Sequence, residues 1–295
     1  MEIQPVTRII MSNKHKVAVV VSNAGIKSLG ALPILDFMQQ ENLPIDYIIG
    51  SGGGASLAAL FSLGYLSEEI PRYMKRLYDR NTMLKLNYNT LMGMSGLRRR
   101  PFSPHEGLLN NKELLQAYSE AFKNVRLEDL HIKTALQATD ILSGEGVVLT
   151  HGSLAESAYA SNATFPFFPP AKINDRLLVD GLFSASLPLL HVLKGDYDLV
   201  IAFNFNQEYY NFGSLGLLEY YCNFFHRTYS IGQVSHATIG MMMSNTKLIL
   251  ISMNLSARIN LWSIDRIPEI LAGGEKLLGK HRDEIMGAFA HQRPA

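Results

Sequence analysis

The residues Ile45-Asp-Tyr-Ile-Ile-Gly50-Ser-Gly-Gly-Gly-Ala55 mark the point where a short apolar run meets a glycine-rich turn and then a helical segment. The run Ile45–Ile49 predicts a strand, because it is short, largely apolar and bounded by a turn. Residues Ala55–Leu63 predict a helix that ends before Gly64, since glycine commonly follows the last helical turn. The whole stretch therefore reads as a strand, a tight glycine turn and a helix.

The same order of elements occurs upstream and continues along the chain. Val17–Val21 predicts a strand, Ser22–Gly25 a turn, and the apolar positions between Leu29 and Met38 a helix. Further apolar runs predict strands, and a helical pattern closes the chain: Thr134–Ala138, Gly146–Thr150, Leu177–Val179, Leu199–Phe205, Leu248–Met253 and the helix Ile267–Phe289. Strands that alternate with helices and read as unbroken apolar runs are typical of parallel strands covered on both faces. We therefore predict an α/β fold, a three-layer α/β/α sandwich around a mainly parallel central sheet.

The composition limits the classes of protein to which the chain belongs. Of its 295 residues, 47% are hydrophobic and 18% are charged, whereas an average domain is about 25% charged. This apolar content excludes a disordered chain. Lys and Arg number 27 and Asp and Glu 26, which gives a net charge of +1. Such a balance supplies no broad basic field, so nucleic acid is not an expected partner.

The cysteine content and the hydropathy of the chain predict its compartment. The single cysteine, Cys222, cannot form an internal disulfide, which favours a reducing compartment. Val17–Val21 is too short for a secretory signal, and no stretch approaches the ~18–20 apolar residues of a membrane span. We expect a cytoplasmic protein that is able to contact a membrane peripherally. We also expect one domain over residues 16–289, with an N-terminal extension over 1–15 and a C-terminal tail over 290–295.

The glycine turn has the position of a nucleophile elbow, whose pattern is G-x-S-x-G between a strand and a helix. Gly50 and Gly54 hold the outer places of this pattern, Ser51 lies between, and Gly52 stands where the nucleophile would be. From these residues alone, a turn with only packing duties is an equally good interpretation.

A dinucleotide-binding turn is a third interpretation, because Gly50, Gly52 and Ala55 also satisfy G-x-G-x-x-[GA] after a strand. Such a unit needs an acidic residue about 20 positions further on, at the end of the next strand. Glu68 and Glu69 fall instead in a helical stretch, so the rest of the unit is missing.

Five ordered motifs resemble the patatin-like phospholipase family over about Lys16 to Phe289. They are Ser22–Gly30, which resembles that family's loop G-G-G-x-[RK]-G; Leu43–Gly50, the strand entering the elbow; Ala138–Gly144, a stretch of the central sheet; Ala160–Pro170, the segment leading to the catalytic acid; and Val179-Asp180-Gly181, which matches D-G-[GA] and precedes Ser186-Leu-Pro188. The resemblance implies a patatin-like fold and hydrolysis of phospholipids or related fatty-acyl esters, with no cofactor and no metal.

The resemblance also implies a Ser-Asp catalytic dyad, in which a serine attacks the ester carbonyl and an aspartate acts as the general base. Asp180 matches the aspartate of the family motif. A serine hydroxyl is a weak nucleophile until an adjacent base takes its proton. Because Gly52 stands at the nucleophile position, the attacking atom is missing and we expect no hydrolysis by the dyad. Ser51 is adjacent, but using it as nucleophile would place Ile49 where a small residue is needed.

The resemblance further assigns the oxyanion hole to backbone N–H groups of the loop after the first strand and of the start of the following helix; these residues are Asn23, Ala24, Gly25, Ile26, Lys27 and Gly53. Two glycines of the family pattern are replaced by Asn23 and Ala24, and alanine fits poorly where φ must be positive. We therefore expect a distorted oxyanion hole. We also expect the helix start after Gly52 to attract a carboxylate, a phosphate or a water, because helix N-termini attract anions.

Two explanations for Gly52 are consistent with the sequence. An engineered replacement of serine is consistent with the intact Asp180, whereas natural loss is consistent with the changes at Asn23, Ala24 and Leu182. Strong restoration of esterase activity by Gly52→Ser would indicate the first, and weak restoration the second. The alternative function is a non-catalytic protein that binds acyl lipids or a protein partner.

The histidines, an aromatic window and an arginine run each have a structural interpretation beside a functional one. The nine histidines show no metal-binding spacing, so no metal site is predicted. The window Phe203–Tyr229 holds ten aromatic residues, and with Met241–Met243 it fits a core, an acyl-chain channel or an interface. Arg98–Arg100 fits a solvated loop or a contact with an anionic lipid surface.

Overall fold

The computed structural model describes residues 16–94, 103–207, 246–255 and 263–290, together with Tyr220, Phe224 and Ile259. Several sequence predictions fall outside these residues: those for 1–15, Arg98–Arg100, Cys222, Met241–Met243, the tail after Ala290 and most of Phe203–Tyr229.

The strands and helices follow the predicted order. The strands of the described residues are β1 (Val17–Val21), β2 (Tyr47–Ser51), β3 (Lys133–Asp140), β4 (Gly146–Leu149), β5 (Ala171–Ile173), β6 (Arg176–Asp180), β7 (Leu199–Gln207) and β8 (Lys247–Leu255). The α-helices are α1 (Leu32–Gln40), α2 (Gly53–Ser62), α3 (Ile70–Leu77), α4 (Arg80–Met83), α5 (Tyr88–Met94), α6 (Lys112–Phe122), α7 (Leu154–Asn162), α8 (Leu182–Ala185), α9 (Leu189–Leu193) and α10 (Ile267–Ala290). Short 3-10 helices cover Gly25–Ala31, Leu127–Asp129 and Ile264–Arg266.

The first helix and β5 are among the elements that differ from the sequence prediction. The helix expected from Leu29 begins as the 3-10 helix Gly25–Ala31 and becomes α-helical at Leu32, where Pro33 occupies the first turn. The three-residue strand β5 was not predicted, because it is short and only partly buried.

The described strands form one sheet that is mainly parallel, as predicted. Five neighbours run parallel in the order β3-β2-β1-β7-β8. β4 and β6 pair with β3 in the antiparallel sense, and β5 pairs with β6. The apolar patterns of β4 and β6 predicted strands but contained no information on their direction.

The central strand β1 shows why its sequence is an unbroken apolar run. Val17, Val19 and Val21 face a core that also contains residues of α1, α2, α7 and α10. Ala18 and Val20 face the other side, where α9 contributes Leu189 and Val192. All five residues of β1 are fully buried, as expected for a strand covered on both faces. The predicted α/β class, a mainly parallel sheet flanked by helices, is confirmed.

The pairing of β3 brings the ends of two other strands together. Along one side of β3, Gln137 pairs with Ser51 of β2, and the next residue, Ala138, pairs with Asp180 of β6. The opposite side of β3 pairs with β4 across the same residues. β2 and β6 therefore lie end to end on one side of β3. Since β2 is parallel to β3 and β6 is antiparallel to it, their carboxyl ends face each other.

Candidate active site

Gly52 forms the junction between β2 and α2. Its backbone has φ 51° and ψ −121°, a conformation that residues with side chains rarely adopt. The turn is also tightly packed, because a Cβ on Gly53 would lie less than 3.0 Å from backbone atoms of Gly25. The loop after β1 therefore packs against the start of α2, where a dinucleotide would place its pyrophosphate, and this argues against a dinucleotide site.

Two neighbouring residues at the end of α7 hold the backbone of Gly52. The N–H of Gly52 donates to Ser161 Oγ at 3.0 Å, and Ser161 Oγ donates in turn to the carbonyl of Gln137 at 2.6 Å. Asn162 Nδ2 donates to the carbonyl of Gly52 at 2.9 Å, while Asn162 Oδ1 accepts from the Tyr78 hydroxyl at 2.5 Å. Sequence reasoning placed Ser161 and Asn162 in the segment before the acid but did not assign them this contact. No distinct signal in the sequence marks them, because α7 also contains the polar residues Glu156 and Ser157.

Asp180 ends β6 and is almost completely buried, with 4% of its surface exposed. Its Oδ1 accepts hydrogen bonds from Asn23 Nδ2 at 2.8 Å and from the N–H of Leu182 at 2.9 Å. Its Oδ2 accepts from Thr164 Oγ1 at 2.6 Å. Burial raises the pKa of Asp180 from 3.8 to about 6, against the opposing effect of these three donors. The carboxylate is therefore held in place while its ionised form is destabilised.

The side chain of Asn23 lies between Asp180 and Gly52. A Cβ added to Gly52 would point at this amide and would lie less than 3.0 Å from its Cγ, Nδ2 and Oδ1 atoms. While Nδ2 donates to Asp180, Oδ1 accepts from the N–H of Gly53 at 3.4 Å. The amide thus touches the acid, the start of α2 and the space beside Gly52. The sequence singled out Asn23 for its backbone only.

The loop after β1 differs in detail from the predicted oxyanion loop. The N–H of Asn23 donates to the carbonyl of Ser186 at 2.8 Å, so it is directed away from Gly52. Ala24 has φ −149°, and the positive φ of the loop, 57°, occurs at Gly25. The expectation that Ala24 would be strained by a positive φ is therefore wrong. The loop continues through Ile26 into the 3-10 helix.

Lys27 and Ser51 are both buried beside this region. Lys27 is 2% exposed, and burial lowers the pKa of its ammonium group to about 8. Ser51 is fully buried, and its hydroxyl makes no hydrogen bond within the described part of the chain. A Cβ on Gly181 would lie 2.5 Å from Ser51 Oγ. Ser51 Oγ therefore lies against Gly181.

Two backbone N–H groups at the start of α2 have partners within the chain, since Gly53 donates to Asn23 Oδ1 and Gly52 to Ser161 Oγ. The anion or water expected at this helix start stays a prediction. The residues predicted to form the elbow, the loop after β1 and the acid are nevertheless brought together in one place.

The family model for patatin-like phospholipase matches residues 22–193, which is more than half of the chain. The protein therefore belongs to the patatin-like phospholipase family, and the predicted resemblance is confirmed.

Relatives and solved structures provide a second comparison. An uncharacterized NTE family protein of Mycobacterium tuberculosis is 26% identical over 199 residues, which cover 68% of this chain and 51% of that protein. Lysophospholipase NTE1 of Eremothecium gossypii is 23% identical over 180 residues, covering 60% of this chain and 11% of that protein. The chain thus spans about half the length of the first relative. The crystal structure of VipD from Legionella pneumophila aligns with 90% of this chain and 67% of its own, at 11% identity and a TM-score of 0.48.

The described residues also bear on metal binding and on membrane spans. Within the described residues, no group of three or more His, Cys, Asp and Glu side chains is arranged to hold a metal ion. Among the helices of those residues, none combines the length and the apolar character needed to cross a membrane.

Proposed function

We propose that this protein is a patatin-like phospholipase family member that does not carry out hydrolysis by a Ser-Asp dyad. The observation that carries the proposal is the geometry at Gly52. This residue adopts φ 51° between β2 and α2, and its missing side chain would point toward the hydrogen-bond partner of Asp180. A glycine at this place supplies no attacking oxygen.

The parent reaction is ester hydrolysis by a Ser-Asp dyad, and it defines what a serine oxygen at position 52 would do. A serine oxygen at position 52 would attack the acyl carbonyl while its proton passed to Asp180, and the same proton would then go to the departing alcohol. Attack of water on the acyl-enzyme would release the fatty acid. In a serine protease, loss of the nucleophile lowers kcat by a factor on the order of 10⁶. The same loss here leaves Asp180 without a serine to activate.

Acyl lipids remain the ligand class that we propose for this chain, bound without a metal or an organic cofactor. Family membership supports a lipid ligand, and the buried carboxylate network of Asp180 is complete although no nucleophile adjoins it. We propose that the protein binds lysolipid or fatty acid without turning it over, in the cytoplasm or peripherally at a membrane. A protein partner is the competing ligand.

The test combines hydrolysis with binding. The chain is assayed with lysophosphatidylcholine and p-nitrophenyl butyrate beside its Asp180→Asn variant, and binding is followed with a fluorescent fatty acid and by sedimentation with phospholipid vesicles. We expect the same background hydrolysis from both proteins, together with saturable binding of the fatty acid. Hydrolysis that the Asp180→Asn variant lacks would show that another nucleophile acts in this site. Absence of binding to every lipid probe would refute the proposed ligand class.

A further inference from the structure

The amide of Asn23 occupies the space that a side chain at position 52 would need. The three atoms nearest to a Cβ on Gly52 all belong to this amide, and each lies less than 3.0 Å from it. Asn23 is itself buried, with 9% of its surface exposed, and its backbone N–H is engaged by Ser186. A side chain at position 52 and the present position of the Asn23 amide therefore exclude each other.

The same amide makes the hydrogen bonds that a serine at position 52 and a bound oxyanion would make. Asn23 Nδ2 donates to Asp180 Oδ1 at 2.8 Å, where the hydroxyl of a nucleophile would donate to its base. Asn23 Oδ1 accepts from the N–H of Gly53 at 3.4 Å, where a negatively charged oxygen would be stabilised at the start of a helix. One uncharged side chain thus fulfils two roles, and neither group is left buried without a partner.

We propose that Asn23 and Gly52 form a coupled pair, in which the Asn23 amide replaces both the serine hydroxyl and the oxyanion and closes the site. The site has then not only lost its nucleophile but has also gained a side chain that fills the space and makes new hydrogen bonds. A single replacement of serine would leave an empty space next to a buried carboxylate, whereas here that space is filled and the carboxylate keeps a donor. Two matched changes favour natural loss of the nucleophile over an engineered one.

The coupling of Asn23 and Gly52 predicts the stabilities of their variants, and this prediction does not depend on the proposed function. Gly52→Ser introduces a Cβ into the amide of Asn23, so the amide must leave Asp180. Asn23→Gly alone removes a donor from a buried carboxylate, which is unfavourable. Together the two changes relieve the steric conflict, and the new hydroxyl replaces the lost donor. Residues in direct contact commonly deviate from additivity in this way.

A double-mutant cycle tests the pair with Asn23→Gly, Gly52→Ser and the double variant, each followed by thermal unfolding. The control cycle replaces Gly52→Ser with Gly64→Ser, because Gly64 also has a positive φ, 85°, but an added Cβ there meets nothing within 4 Å. We expect the double variant of the first cycle to melt about 4 °C or more above the additive value. The control cycle should be additive within about 1 °C. Additivity in both cycles would overturn the proposal.

Hydrolysis of a short-chain ester by the same proteins gives a second readout, and this part rests on the proposed function. Asn23→Gly/Gly52→Ser should hydrolyse the ester at least about tenfold faster than Gly52→Ser, since only the double variant frees the hydroxyl and the N–H of Gly53. Measurable and equal hydrolysis by Gly52→Ser and by the double variant would overturn the proposal that the Asn23 amide replaces the serine hydroxyl. Coupled stabilities without any hydrolysis would instead refute the proposed parent reaction and leave the pair intact.

If the serine variants fold poorly, a smaller substitution at position 52 tests the same steric contact. Gly52→Ala brings a Cβ to the same atoms of Asn23 without a hydroxyl, and it completes the cycle with Asn23→Gly. If Gly52→Ala is soluble only together with Asn23→Gly, the steric coupling is supported. If Asn23→Gly worsens the yield of Gly52→Ala, the coupling is refuted.

Discussion

Replacing Asp180 by asparagine is expected to stabilise the protein at neutral pH. Burial raises the pKa of this carboxyl from 3.8 to about 6, so the folded chain binds the proton more tightly than the unfolded chain does. The contribution of Asp180 to stability is therefore fully present below pH 4 and is lost as the pH rises through about 6. The amide of Asp180→Asn resembles the protonated acid. Its oxygen can accept from Asn23 and Leu182, and its NH₂ can donate to Thr164.

The magnitude of this effect follows from the two pKa values. A shift of one pKa unit corresponds to about 1.4 kcal/mol, so the shift from 3.8 to about 6 corresponds to about 3 kcal/mol at pH 7.5. At pH 4.5 most of the unfolded chain's Asp180 is ionised while the folded chain's is protonated, and about 1 kcal/mol remains. The stabilisation by Asp180→Asn should therefore shrink threefold between these two pH values.

Urea unfolding followed by circular dichroism gives the free energy of unfolding of Asp180→Asn and of the parent at pH 7.5 and pH 4.5. The difference between the two proteins isolates the effect of Asp180, because titrations common to both proteins cancel. Asp140→Asn is the matched control. Asp140 also ends a strand of the same sheet, but its carboxylate accepts from the N–H of Leu142 at 2.9 Å and lies 3.9 Å from Arg176. Loss of that charge should leave stability unchanged or lower it. An Asp180→Asn variant that is no more stable than the parent at pH 7.5 would show that burial does not destabilise the ionised carboxylate.

Two further predictions concern the same region. Thr164→Val removes the donor to Asp180 Oδ2, which should raise the pKa of Asp180 further and move the loss of stability to higher pH in the same urea series; an unchanged pH dependence would contradict this. Gly53→Ala forces a Cβ against the backbone of Gly25 and should cost about 2 kcal/mol or more, whereas Gly279→Ala in α10 meets nothing within 4 Å and should gain about 0.5–1 kcal/mol. Equal melting temperatures of these two alanine variants would show that the turn is less tightly packed than described.

The centre of the fold was predictable from the sequence because β1 and β2 are short, fully buried strands. Val17–Val21 and the run that forms β2 could be recognised from apolar residues next to glycines, although β2 begins at Tyr47, two residues later than predicted. The direction of β6 was not predictable, because an apolar pattern is the same in parallel and antiparallel strands. Partners distant in the sequence, here Ala138 and Asp180, decide that direction.

The position of the candidate site was predictable from the sequence, but the side chain that fills it was not. The spacing of glycines located Gly52, and the short motif around Asp180 located the acid. The side-chain direction of Asn23 was missed, because the sequence shows a polar residue in a loop but not the space into which it turns. That space exists only because position 52 lacks a Cβ, so the two residues could be connected only in three dimensions.

The end-to-end meeting of β2 and β6 on β3 has an evolutionary consequence. The elbow and the acid are fixed by pairing to Gln137 and Ala138, which are consecutive residues of a single buried strand. Their spacing is therefore set by the rise of the strand, about 3.3 Å per residue, and not by any loop. Selection for a stable sheet maintains this spacing even when selection for catalysis has ceased. A chain of this kind can lose and replace the side chains between the two strand ends while the frame that once aligned them persists.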